Sequence, residues 1–179
     1  ATSSTGSLNT AVGVSSMRFN TTGSQNVGIG VNALEANTEG DNNTAVGVSA
    51  LGANTTADQN TAMGHSALAT NTTGCRNTAM GYNSLAVNTT GCCNVSIGRA
   101  SLDANIDGDF NTAVGTNSLS GNTTADDNTA VGYLAMNANT TGGDNTAVGV
   151  CSLNANTTGA NNVAIGYQAL DSNTTANEN

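Results

Sequence analysis

The sequence predicts an all-β fold: a parallel β-solenoid, or β-roll, of ten 17-residue coils stacked along one axis. Three observations carry that expectation. Units begin at Asn9, Asn26, Asn43, Asn60, Asn77, Asn94, Asn111, Asn128, Asn145 and Asn162, at an unbroken spacing of 17 residues. Such a period is the signature of a repeat architecture. Three positions of the unit never vary: Asn at the first, Gly at the fifth and Asn at the twelfth. Short extended runs between Gly, Asn and Asp turn residues then favour strands over helix. The clearest unit is Asn145 to Asn161, N-T-A-V-G-V-C-S-L-N-A-N-T-T-G-A-N. Residues 1–8 form a partial repeat, 9–178 the ten tandem repeats, and 179 starts a further one. Columns are numbered below from the leading Asn, and coil 1 is the unit that begins at Asn9.

Within a coil, columns 2 to 6 (T-A-V-G-x) and columns 8 to 13 (S/A-L-x-A-N-T) each read as a short strand, giving two strands per coil. A glycine in column 5, usually a second in column 15, and the N-T-T run all work against helix propagation. Alternation points columns 2 and 4 one way and columns 3 and 5 the other. The expected core is a thin double file with alanines filling the gaps. One file is Val12, Ile29, Val46, Met63, Met80, Ile97, Val114, Val131, Val148 and Ile165 in column 4. The other is Met17, Leu34, Leu51, Leu68, Leu85, Leu102, Leu119, Met136, Leu153 and Leu170 in column 9. Parallel strands stack at about 4.8 Å, so ten coils make a rod roughly 48 Å long.

The invariant asparagines have a physical reason in such a stack. Identical amides placed one above another form hydrogen-bonded ladders, and Asn tolerates the left-handed backbone of a corner. Column 1, from Asn9 to Asn162, is the expected Asn ladder. Small residues in column 3 beside Gly in column 5 make a smooth strip. Either another chain's backbone approaches it closely, or it faces a narrow corner of its own coil.

Composition narrows the function classes. Of 179 residues, 12 are acidic and only Arg18, Arg76 and Arg99 are cationic, for a net charge of −9. Phosphate-backbone binding needs clustered Lys and Arg, so no nucleic-acid partner is expected. No run of about 18 apolar residues exists for membrane insertion. With no capping unit in view, the chain reads as a window of a longer array or a piece stacked end to end.

The motif N-x-A-I/V-G-x-x-A/S-L, clearest at Asn162-Val163-Ala164-Ile165-Gly166 and Asn94-Val95-Ser96-Ile97-Gly98, resembles the head repeat of YadA-type trimeric autotransporter adhesins. The whole N-T-A-V-G…A-L…N-T-T-G unit is similar to repeats of phage-type tail-fibre and adhesin proteins. The resemblance covers residues 9 to 178. It implies a left-handed parallel β-roll, three chains about one axis, and an extracellular stalk or head on a virion or cell surface. The unit departs from the adhesin pattern in its length and in the added N-T-T-G corner.

Candidate chemistry lies in columns. Acidic residues gather at the last two positions (Asp41, Asp58, Asp109, Asp126, Asp127, Asp144), where stacked carboxylates invite calcium; the spacing does not match a calcium-roll motif, and no other cofactor is expected. Threonines in columns 2, 13 and 14 invite an ice-binding array. The sequon N-T-T at Asn20, Asn54, Asn71, Asn88, Asn122, Asn139, Asn156 and Asn173 offers N-glycosylation. Cys75 and Cys92 stand one coil apart, within disulfide reach. His65 lacks a partnered nucleophile, and Tyr82, Tyr133 and Tyr167 share its column as candidate contacts for surface glycans. No singular constellation marks a catalytic site, so the expectation is a non-enzymatic structural fibre: adhesin, tail fibre or surface filament. It self-associates as a homotrimer or an end-to-end filament. The alternatives are an N-glycosylated fibril coat protein and an ice-binding solenoid.

Overall fold

The computed structural model describes residues 5–179; the first four residues of the partial repeat lie outside them. Each coil contributes one three-residue strand at columns 2 to 4, from Thr10–Val12 in coil 1 to Val163–Ile165 in coil 10. The ten strands lie side by side in sequence order in one parallel sheet. Register is the repeat itself: Thr44 opposite Thr61, Ala45 opposite Ala62, Val46 opposite Met63. No helix occurs among the described residues, and the fold is a β-solenoid.

The second expected strand does not form. Backbone φ is positive in column 7 (Asn83, 54°), column 9 (Leu85, 51°) and column 17 (Arg76, 58°), and the same three positions repeat in every coil. An extended chain alternates its side chains between two faces. The left-handed turn at column 9 breaks that rule, so neighbours such as Ala67 and Leu68 both point into the core. The left-handed region costs an L-residue about 1–2 kcal/mol, which here is offset by burying a leucine. Coil-to-coil hydrogen bonding continues through this segment without extended backbone: Leu68 N–H donates to the Ser84 carbonyl (3.0 Å) and Ala53 N–H to the Ala69 carbonyl (3.0 Å).

One of the two expected core files is also misplaced. Leu51, Leu68, Leu85, Leu102, Leu119 and Leu153 are fully buried, and only the last of the file, Leu170, is exposed. Opposite them stands column 3, with Ala45, Ala62, Ala79, Ala113, Ala130 and Ala147 sealed from solvent. Parity then sends column 4 outside. Val12, Ile29, Met63, Ile97, Val148 and Ile165 are exposed, and Val46, Met80, Val114 and Val131 half-buried. Seventeen residues enclose only a narrow interior, and alanine facing leucine fills it where a branched side chain facing leucine would overpack. Column 3 therefore faces its own coil's interior, and its small side chains are not a surface strip.

Coil 6 supports this pairing. There column 3 is Ser96, and its hydroxyl meets Ser101 Oγ of column 8 at 2.6 Å and donates to the Ser101 carbonyl at 2.7 Å. A hydroxyl introduced into the core is satisfied by a second hydroxyl across it. Column 5 admits only glycine. Gly81 has φ +135°, and a Cβ there would press into the carbonyl oxygen of Gly98 in the next coil.

Candidate functional site

Two longitudinal features run the length of the rod, one inside and one outside. The inner one is a double asparagine spine. In column 1, Asn43 Oδ1 accepts the Asn60 N–H of the next coil (2.9 Å), while Asn43 Nδ2 donates to the Ala57 carbonyl (2.8 Å). In column 12, Asn54 Nδ2 donates to Asn37 Oδ1 of the preceding coil (2.8 Å) and to the same Ala57 carbonyl (3.0 Å). One column-15 carbonyl thus receives two amides and ties the ladders together. The pattern recurs from Asn26 and Asn37 to Asn162, with these side chains buried. Column 1 is the ladder expected from sequence; Asn9, at the open end, is only half-buried.

That arrangement uses the expected glycan acceptors. Asn54, Asn71, Asn88, Asn122, Asn139 and Asn156 are fully buried, each with Nδ2 donating to two oxygens. A sugar on any of them would remove a donor from the spine and displace the core. Asn20 and Asn173, in the end coils, are less buried and keep the same bond to the column-15 carbonyl.

The acidic column is explained by the backbone. Asp58 Oδ1 accepts the Asp41 N–H of the preceding coil (2.7 Å), and Asp126 Oδ1 accepts the Asp109 N–H (2.7 Å). Each column-16 carboxylate occupies itself with a neighbouring coil's N–H. Threonines of column 13 act similarly: Thr38 Oγ1 donates to the Thr55 carbonyl (3.0 Å) and Thr140 Oγ1 to the Thr157 carbonyl (2.9 Å). Column 14 remains exposed, and column 2 lies half-buried beside column 4 on the outer face of the sheet.

The outer feature is that face. Columns 4 and 6 flank the bare glycine backbone of column 5, and most of their residues are exposed: Ile29 40%, Val48 42%, Met63 44%, Tyr82 50%, Tyr133 52%. Not one of the 12 acidic residues falls in columns 2, 4 or 6; all lie in columns 10, 14, 16 and 17. The charge that makes the chain acidic is therefore confined to the other sides. At mid-length the apolar column 6 is interrupted by His65, Tyr82 and Arg99. His65 and Tyr82 stack with centroids 5.4 Å apart, and the Arg99 guanidinium sits 6.0 Å over the far side of the Tyr82 ring. This face escaped the reading from sequence, though column 6, which mixes Tyr, His, Arg and Thr with Val, is not a core composition.

The structure brings Cys75 and Cys92 together: their sulfurs are 3.1 Å apart as free thiols, and Cys75 N–H donates to Cys92 Sγ (3.0 Å). Burial, above all, lifts the Cys92 thiol above its ordinary pKa, and Cys75 and Asp109 add to this against an opposing bond from the Cys75 backbone. Comparison with models of known protein families, with curated proteins and with solved structures found no match.

Proposed function

We propose that this chain is a structural segment of an extracellular fibre, a rod whose outer sheet face packs against further copies of itself. The observation that carries the reading is the largely apolar face of columns 2, 4 and 6, which holds no acidic residue and a single cation, Arg99, and runs the length of a chain with net charge −9. Contiguous apolar surface of this extent marks interaction sites. A second copy is the occupant it suits best. An identical rod presents its side chains at the same interval of about 4.8 Å, so every coil repeats the same contact. Acidic columns on the other sides keep assembled rods apart from one another. The resemblance to adhesin and tail-fibre repeats supports three chains about one axis and a position on a cell or virion surface. Function is then reach and multivalency, with repeated surface groups supplying avidity.

Sedimentation or light scattering tests it. The expected result is a dimer or trimer, reduced to monomer by Val46→Asp combined with Val131→Asp, with unchanged circular dichroism. A monomer at all concentrations would sink the proposal.

A second reading rests on the same face. Columns 2 and 4 set Thr and Val, Ile or Met side chains in a flat array, about 4.8 Å between coils and about 6.6 Å along each strand. Such an array orders water in register with itself, and its mark is thermal hysteresis that persists in the monomer.

A further inference from the structure

We propose that Cys75 and Cys92 are a site of oxidative cross-linking, an inter-coil disulfide that staples coil 4 to coil 5. Column 16 side chains lean toward the preceding coil, where Asp, in four coils, accepts a backbone N–H. Between coils 4 and 5 that place is taken by sulfur on both sides, with Sγ atoms 3.1 Å apart. The flanking backbone is already held. Cys75 N–H donates to Cys92 Sγ (3.0 Å), and Cys93 N–H donates to the Cys75 carbonyl (2.9 Å). Parallel stacking sets the two Cα atoms about 4.8 Å apart, inside the span that disulfides adopt. Closing to a bond of about 2.05 Å therefore asks only for side-chain torsion, with no movement of the coils.

The chemistry needs an oxidant, and a small-molecule disulfide such as oxidised glutathione suffices. One protein thiolate attacks a sulfur of that disulfide and forms a mixed disulfide, expelling one small thiolate. The second protein thiolate attacks the protein sulfur of the mixed disulfide and expels the other small thiolate. The chain loses two hydrogens and two electrons, and the oxidant becomes two thiols. Either thiol can make the first attack, because each sulfur lies within reach of the other to resolve it. Cys93 and Cys151, half-buried in columns 17 and 7, have no second sulfur stacked on them.

The test uses the full chain, incubated with oxidised glutathione, alkylated in denaturant and mapped by mass spectrometry. The expected product is a chain lighter by two hydrogens with Cys75 joined to Cys92, melting at a higher temperature than the reduced chain. The rise is retained in Cys93→Ser and Cys151→Ser and lost in Cys75→Ser and Cys92→Ser. Serine is native to this column at Ser24, so these variants keep the coil. Four free thiols after oxidation, a bond through Cys93 or Cys151, or cross-links only between chains would each overturn the proposal. Because the site lies away from columns 2, 4 and 6, its outcome is independent of the oligomeric state.

Discussion

Column 12 is Asn in every coil and column 4 is always Val, Ile or Met, yet they end on opposite sides of the wall. Asn122 of coil 7 is sealed inside, its amide donating to Asn105 Oδ1 (2.9 Å) and the Ala125 carbonyl (3.0 Å) while accepting from Asn139 (3.1 Å). Val114 of the same coil stands on the outer face of the sheet. The polar column is core and the aliphatic one is surface, the reverse of the usual distribution. Periodicity reports which residues stack; it does not report which are buried. In a coil this narrow, burial goes to whatever fits opposite leucine or can satisfy its own polar atoms.

Coil 7 allows the contrast to be broken one column at a time. Leu119→Ala should have the largest effect, a loss of about 3 kcal/mol in unfolding free energy from a cavity the stacked coils cannot close, measured by chemical denaturation. Asn122→Ala comes next, at about 2 kcal/mol, because it leaves the buried Asn105 Oδ1 without its donor and one hydrogen of the Asn139 amide without its acceptor, while the Ala125 carbonyl keeps only Asn111. Val114→Ala should stay under about 1 kcal/mol in the dilute monomer, and its effect should grow with protein concentration as the outer face engages a second copy. Equal losses for Leu119 and Val114 would mean that column 4 is core after all. The smallest effect belongs to Asp103, whose carboxyl is pushed above its ordinary value of 3.8 by partial burial, against opposing pulls from its own backbone and Arg99. Folding favours the protonated form, so the penalty is absent below pH 3.8 and fully present once pH exceeds the raised folded value. Asp103→Asn should stabilise the chain at neutral pH, within the about 0.5 kcal/mol typical of surface changes, and leave it unchanged at pH 3.

The repeat, the parallel stacking, the leucine file and the column-1 ladder were all legible in the sequence, because each is a consequence of spacing alone. The coil's cross-section was not. It depends on left-handed residues in columns 7, 9 and 17. Columns 7 and 17 did carry a signal, since Asn32, Asn83, Asn117, Asn42, Asn161, Asp127 and Asp144 are residues that enter this region readily. Column 9 carried none. Leucine is a poor left-handed residue and reads as strand, so the expected second strand rested on the residue that turns the chain. The exchange of column 4 for column 3 followed from the same gap, because parity assigns two faces without saying which is inside. In the sequence column 12 suits either a ladder or a glycan, and only its neighbours decide between them: the column-15 carbonyl and the amide one coil away already hold both amide hydrogens.

The direction of the inter-coil hydrogen bonds has a mechanical consequence. Thr61 to Asn77, Leu68 to Ser84 and Thr72 to Thr89 all join one coil to the next, so they lie along the rod. Tension applied to the chain ends loads them lengthwise, and the outermost coil peels before the others feel more than a share of the force. Each peeled coil releases 17 residues; at about 3.3–3.6 Å per residue, less the height of one coil, the rod should lengthen in steps of roughly 51–56 Å. Under an atomic-force probe the chain would give a regular sawtooth at that spacing. With Cys75 bonded to Cys92, one tooth would be missing.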